Sequence, residues 1–168
     1  MVAQHGTLNF VGDGAFMVLS LPVSAFDHID DDADGELSVA EFTKYRPAIV
    51  AAVNANVQLL GEEGPRLLQG MMLSPVVPHD GRQVPTDQLV VMGRFALAGM
   101  DTQSGNALSG KLRFHLGLFG NTAEEQLMEM TATRVVEPKK HKFVLTPKQP
   151  DVGLFLGGRY RAVKPLSP

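Results

Sequence analysis

Cysteine is absent from this chain of 168 residues, and its absence excludes disulfide bonds, zinc–thiolate sites and thiol catalysis. A marked excess of either charge is also missing, because the formal net charge is −3, and we therefore expect no nucleic-acid partner. No apolar run approaches the roughly 20 residues that a membrane-spanning helix requires. We accordingly expect a soluble protein that does not insert into a membrane.

A catalytic constellation is missing as well. The sequence contains no serine nucleophile elbow and no convincing base partner, and its five histidines have no close ligand spacing. The acidic pairs at residues 62–63 and 124–125 lie beside turn residues, where we expect ordinary surface charge. We therefore expect a protein that is not an enzyme. The alternative is an enzyme whose site is assembled from distant residues, which a concave pocket with convergent polar groups would favour.

Negative charge is concentrated in one segment. Residues 27–41 contain seven of the eighteen Asp and Glu residues of the chain. Counting Asp30 as position 1, oxygen-bearing residues recur at positions 1, 3, 5, 7, 9 and 12 of a twelve-residue loop, with Gly35 at position 6. The candidate metal ligands are Asp30, Asp32, Asp34, Glu36, Ser38 and Glu41.

This spacing suits a hard divalent cation, which needs six to eight oxygen ligands that a short segment supplies by wrapping around the ion. The three aspartates would contribute side-chain oxygens, and Glu41 would close the shell with both carboxylate oxygens. Glu36 would contribute its main-chain carbonyl, and Ser38 would reach the ion directly or through water. Gly35 permits the positive φ of the sharp turn.

Over roughly residues 22–46 the chain resembles the EF-hand family of calcium-binding proteins. The resemblance implies that the loop binds Ca²⁺ between an entering and an exiting helix, with Leu37 facing inward at position 8. Two alternatives stay open, a solvated acidic loop and a degenerate hand that has lost its metal.

A second loop of the same kind does not occur in the sequence. EF-hands usually form pairs whose members brace each other, so a lone hand needs another support. Either the surrounding domain supplies it, or two chains pair their hands across a dimer axis.

The flanking residues predict the limits of the helices. Ser24 is placed to cap a short entering helix, and the exiting helix should begin near Val39. Pro47 should end or restart that helix, because its ring clashes with the preceding turn. Residues 48–60 continue the helical spacing. The apolar face of this run is formed by Ile49, Val53 and Val57.

The remaining sequence predicts strands. A hairpin comes first, since residues 7–11 and 15–21 are apolar runs separated by Gly12, Asp13 and Gly14. The later part, residues 65–165, is β-rich, and apolar and polar residues alternate most regularly in its second and third strands. The strands of this part are predicted over residues 66–77, 88–98, 112–118, 126–136, 142–145 and 154–163.

We therefore expect an α+β fold in one domain, residues 1–168. It should be a mainly antiparallel β-sandwich or barrel, with an EF-hand helix-loop-helix inserted after the first hairpin.

The layout of a hairpin followed by a proline-led Phe26-x-x-Ile29-Asp30 segment also resembles extracytoplasmic domains associated with bacterial metal permeases, over about the first 45 residues. This resemblance implies a periplasmic, calcium-stabilised module that touches a membrane partner. Residues 1–6 read as an added tail joined to a polar mature N-terminus, which favours the same compartment. We expect a periplasmic or extracellular (secreted) protein, with a cytoplasmic one as the alternative.

Together these features predict a non-enzymatic calcium-binding protein in which Ca²⁺ orders the helical segment, in a structural or a sensing role. The alternative is a protein-interaction module of a membrane-associated or metal-handling system, in which Ca²⁺ is only a structural clip. The expected partners are the calcium ion and either another protein or a second copy of the chain.

Overall fold

β-strands make up most of the fold, which we describe from a computed structural model over residues 4–31, 33, 36–61, 64–76, 86–97, 112–134 and 140–154. One α-helix and two short 3₁₀ turns, Val23–Ala25 and Glu124–Gln126, accompany the strands in these ranges. In chain order the longer elements are β1 (Gln4–Val11), β2 (Gly14–Pro22), α1 (Val39–Asn56), β3 (Val57–Gly61), β4 (Gly64–Pro65), β5 (Leu68–Pro75), β6 (Gln88–Ala96), β7 (Leu112–Leu116), β8 (Met128–Arg134), β9 (His141–Leu145) and β10 (Asp151–Leu154).

The strands form two sheets. One sheet has the order β5-β6-β2-β1-β8-β9, and the other has the order β10-β7-β3-β4. Neighbouring strands are antiparallel except β1 and β8, which run parallel. The prediction of a β-rich, mainly antiparallel α+β fold is confirmed. Both sheets have edge strands within the described ranges, so neither closes into a barrel there.

Side chains from both sheets and from α1 contribute to one hydrophobic core. The alternation predicted for β7 is confirmed, and in β6 Leu89, Val91 and Phe95 are buried as predicted, whereas Gly93 on the same face is only half-buried. Each sheet therefore has one face on the core and one face toward solvent. The buried residues of these two strands include Leu89, Val91, Phe95, Leu112, Phe114 and Leu116.

The predicted hairpin is confirmed. β1 and β2 pair with Val11 opposite Gly14, and the turn between them places Gly12 at a φ of 60°, where glycine carries no steric penalty. β1 begins earlier than predicted, because residues 4–6, part of the stretch interpreted as an added tail, pair with β8.

The prediction that Pro47 ends or restarts the helix is wrong, because α1 continues through it. Proline has no N–H, so the hydrogen bond to the carbonyl of Thr43 is lost. Both residues are exposed, and water can therefore bond to the released carbonyl at little cost.

The helix is also shorter than predicted at its C-terminal end. It ends at Asn56, and Val57–Gly61 form β3, which pairs with β7. Ile49 and Val53 are buried on the helix as predicted, whereas the buried Val57 belongs to the strand. Of the predicted strand over residues 154–163, only Leu154 lies within the described ranges, at the end of β10.

Replacing Gly6 by alanine is expected to destabilise the fold. A Cβ at this position would overlap the buried side chains of Leu19 and Met130 on the two neighbouring strands. Overpacking of this kind costs about 1–3 kcal/mol. Urea unfolding measures the change, and Thr7→Ala, on the exposed face of the same strand, is the control with a smaller effect. Equal unfolding midpoints for Gly6→Ala and the unchanged protein would contradict the packing described here.

Candidate metal centre

The candidate loop lies between β2 and α1. The chain enters it through the 3₁₀ turn Val23–Ala25 and becomes extended at Phe26, with a φ of −108° and a ψ of 134°. The predicted entering helix capped by Ser24 is therefore wrong, because Ser24 lies inside this turn and its hydroxyl donates to Glu125 instead. The extended conformation at Phe26 accompanies burial of its ring in the core.

The ends of the loop are anchored on the core. Phe26, Ile29 and Leu37 are all buried, as expected for the apolar positions that flank and line an EF-hand loop. The backbone N–H of Val23 also donates to the carbonyl of Asp87, at 2.9 Å, just before β6 begins. The segment that carries the acidic residues is thus held by apolar packing and main-chain hydrogen bonds.

Position 8 of the loop pairs with the surrounding domain. The N–H of Leu37 donates to the carbonyl of Thr86 at 2.6 Å, and the N–H of Thr86 donates to the carbonyl of Leu37 at 3.1 Å. The loop is therefore joined at this position to the rest of the same chain.

The loop passes into α1 through a capping box. Ser38 is the N-cap, and its hydroxyl accepts from the N–H of Glu41 at 3.1 Å. The carboxylate of Glu41 accepts in return from the N–H of Ser38 at 2.9 Å. These bonds satisfy N–H groups that a helix start leaves without partners. The predicted start of the exiting helix at Val39 is confirmed.

The second carboxylate oxygen of Glu41 closes the loop. It accepts from the N–H of Asp31 at 2.8 Å, which joins loop position 12 to position 2. The residue is only 7% exposed, so its carboxylate lies inside the loop and not in solvent. Asp30, the first candidate ligand, is adjacent and has a buried carboxylate oxygen.

The side chain of Asp31 is directed at helix α1. Its carboxylate accepts from the Tyr45 hydroxyl and from the Lys44 ammonium group. These two hydrogen bonds, first from Tyr45 and then from Lys44, hold the pKa of Asp31 below its usual value. Asp31, at position 2 of the loop, is not one of the candidate ligands.

Four of the six candidate ligands lie within the described ranges. Glu36 is exposed, Ser38 is half-buried, and the hydrogen bonds above bring Ser38 and Glu41 together. Asp32 and Asp34, together with Gly35, fall outside these ranges. Among the residues that are described, no group of three or more His, Asp or Glu side chains is arranged to hold a metal.

Among the described residues of the loop region, two that are not glycine have a left-handed backbone. The φ of His28 is 62° and that of Ala33 is 56°, and the N–H of Ala33 donates to the carbonyl of Asp30 at 3.3 Å. Such conformations cost about 1–3 kcal/mol each and cluster at ligand clamps. The sequence pattern predicted a positive φ only for glycine.

Glu125 is a residue of this region that the sequence did not reveal. It was expected to be surface charge, but it is only 9% exposed, and that expectation is wrong. One carboxylate oxygen accepts from the Ser24 hydroxyl at 2.8 Å and from the N–H groups of Asn121 at 2.9 Å and Thr122 at 3.3 Å. Burial alone would raise the pKa of Glu125, but the hydrogen bonds, led by that of Ser24, hold it below 4.5.

A separate cavity of about 390 Å³ lies near the end of α1. Its lining consists of Asn54, Val57, Gln58 and residues 65–68, with Arg66 as its charged group. It contains neither a carboxylate nor a histidine that would act as a base, so it does not favour the enzyme alternative.

Comparisons with known proteins do not assign the chain to a family. No protein-family model matches the chain, and a search of curated proteins gives no match. Within the part of the chain that the structure describes, no helix combines the length and apolar character needed to cross a membrane. The functional interpretation therefore depends on the loop sequence and on the geometry around it.

Stability should depend on the ionisation of Glu125. Because its pKa in the folded protein is lower than the ordinary 4.5, the carboxylate stabilises the fold above that pH. This contribution is lost as the pH falls through the folded-state pKa. The difference in Tm between the unchanged protein and Glu125→Gln should be constant from about pH 6 upward and shrink below pH 4.5.

Thermal melting at a series of pH values measures this difference in Tm. The other carboxylates titrate in both proteins, so their effect cancels in the difference. Glu124→Gln, at an exposed position of the same turn, is the matched control. A Tm difference for Glu125→Gln that stays the same from pH 7 to pH 3 would contradict the stabilising role of the carboxylate.

Proposed function

We propose that the chain is a non-enzymatic calcium-binding protein whose single EF-hand loop, residues 30–41, holds Ca²⁺ within a β-rich domain. The observation that carries the proposal is the hydrogen bond from the N–H of Asp31 to the buried carboxylate of Glu41. It joins position 2 of the twelve-residue segment to position 12, and so supports the proposal that the two ends of the loop face one ion.

The chemistry of the donor set supports a hard cation. Asp30 and Glu41 supply carboxylates from the two ends of the loop, and the sequence places Asp32 and Asp34 between them. Seven acidic residues within residues 27–41 repel one another, so a divalent cation would relieve this repulsion. Bound Ca²⁺ would order residues 27–45 and fix α1 against the sheets, which we propose pack as a sandwich.

The proposed compartment is periplasmic or extracellular. Free calcium is high there, and a Kd of about 10⁻⁴ to 10⁻³ M would suffice, whereas a cytosolic sensor needs about 10⁻⁷ to 10⁻⁵ M. At a free calcium concentration ten times the Kd, the ion would stabilise the fold by about 1.4 kcal/mol.

A second candidate function is an interaction module in which Ca²⁺ is only a structural clip. The outer face of the six-stranded sheet favours it, because Phe16, Val18 and Met72 are 49%, 42% and 60% exposed. Val18 lies opposite Met92, and Met92 lies opposite Met72, so these apolar side chains share one face of neighbouring strands. Apolar groups gathered on an exposed face are typical of protein contacts.

Calorimetric titration with CaCl₂ tests the leading proposal. The unchanged protein should bind one Ca²⁺ and gain thermal stability at millimolar calcium. Glu41→Gln should weaken calcium binding by at least about tenfold. Losing even a residue that only hydrogen-bonds to a metal ligand lowers metal affinity by that factor, and Glu41 is proposed to be a ligand itself. Glutamine keeps one oxygen that can accept from the N–H of Ser38, so the helix cap should survive, whereas the bond from the N–H of Asp31 to the second oxygen is lost.

The control is Asp27→Asn, which removes one charge from the same acidic segment at an exposed position outside the loop. It should bind calcium nearly as well as the unchanged protein. Asp31→Asn is less suitable, because the Asp31 carboxylate bonds to Tyr45 and Lys44. Absence of both heat and thermal shift at millimolar calcium would overturn the proposal, and equal losses in Glu41→Gln and Asp27→Asn would overturn the ligand assignment.

The hand should function in a monomer. Its position 8 would pair with the second hand in a dimer, but the N–H and carbonyl of Leu37 already bond to Thr86 of the same chain. Light scattering after size exclusion should therefore give the monomer mass both with calcium and with chelator. A dimer that forms only when calcium is present would mean that two hands pair across an axis.

A further inference from the structure

Glu125 connects two parts of the chain that are far apart in sequence. It lies in the turn before β8, and its carboxylate receives the hydroxyl of Ser24, 101 residues away, at 2.8 Å. The N–H groups of Asn121 and Thr122 donate to the same oxygen. Three donors therefore converge on this oxygen. The two N–H groups fix the position of the carboxylate, and the Ser24 hydroxyl donates to it.

Glycine at position 120 makes this contact possible. A Cβ on Gly120 would overlap both the Glu125 carboxylate oxygen and the Ser24 hydroxyl. The N–H of Gly120 in turn donates to the carbonyl of Glu125 at 3.0 Å. The turn before β8 is therefore shaped so that its carboxylate reaches the chain that leads into the loop.

Ser24 occupies the position from which the loop is entered. The turn Val23–Ala25 is the one helical turn between β2 and Asp30, so no entering helix fixes the first ligand. On one side of this turn the N–H of Val23 bonds to Asp87, and on the other side Ser24 bonds to Glu125. Tertiary contacts thus replace the support that a longer helix would give.

We propose that Glu125 is a positioning residue for the calcium site, which it holds in its binding conformation through Ser24. This inference rests on the proposed calcium-binding function. A loop that occupies the binding conformation only part of the time has its affinity reduced by that fraction. Linkage also requires calcium to strengthen the Ser24–Glu125 contact by the same factor by which the contact strengthens calcium binding.

Calcium titrations of single and double variants test the inference, with CaCl₂ as the probe and the full chain as the protein. Ser24→Ala and Glu125→Ala should each weaken calcium binding by about tenfold, within the range of typical couplings between sites. The double variant should be no weaker than Glu125→Ala alone, because both changes remove the same contact. Glu124→Ala removes the same charge from an exposed position of the same turn and should bind like the unchanged protein.

Thermal melting in chelator and in calcium separates positioning from a purely structural role. A purely structural contact would lower both Tm values equally and leave the calcium-induced rise unchanged. A positioning residue lowers the calcium-induced rise as well, and this is the expected result. Ser24→Ala removes only a half-buried hydroxyl, so it gives the answer if Glu125→Ala does not fold.

The outcomes distinguish this inference from the function on which it rests. If the unchanged protein binds no calcium, both the proposed function and the positioning role are wrong. If it binds calcium and Ser24→Ala binds equally well, with the same calcium-induced rise in Tm, only the positioning role is overturned. Losses in Ser24→Ala and Glu125→Ala that add in the double variant would also overturn it, because the two residues would then act independently.

Discussion

The loop depends on one buried carboxylate. Glu41 accepts from the N–H of Ser38, which starts helix α1, and from the N–H of Asp31, which lies at the beginning of the acidic segment. A single side chain therefore sets both the start of the helix and the closure of the loop. Because an ionised carboxylate accepts more strongly than a neutral group, its charge stabilises both features before any ion binds.

The surrounding fold opposes the repulsion within the acidic segment by uncharged contacts, in addition to the ion pair between Asp31 and Lys44. Leu37 pairs with Thr86 through the main chain, and Phe26 and Ile29 are packed in the core. The left-handed backbone of His28 and Ala33 adds to the cost that these contacts must offset. These contacts hold the two ends of the acidic segment on the core.

Local patterns predicted the features that depend on neighbouring residues. The residues that flank the acidic loop predicted that α1 begins near Val39, and apolar–polar alternation predicted β6 and β7, because both signals are local in sequence. Contacts between distant residues left no such signal. Glu125 looked like surface charge until the fold brought it to Ser24, and the parallel pairing of β1 with β8 has no short-range signature. The prediction at Pro47 failed because it also depended on tertiary structure. The helix face that carries Pro47 is exposed, and this exposure lowers the cost of the missing hydrogen bond.

The proposed single hand also limits the role that calcium would play. Paired hands brace each other, whereas here position 8 of the loop is joined to Thr86, two residues before β6. One independent site passes from one-tenth to nine-tenths occupied only over about an 80-fold change in free calcium, by simple mass action. Such a shallow response suits a compartment in which calcium is steadily high better than one in which it pulses. Under the proposed function, the pairing of position 8 with Thr86 thus supports a structural ion more than a signalling one.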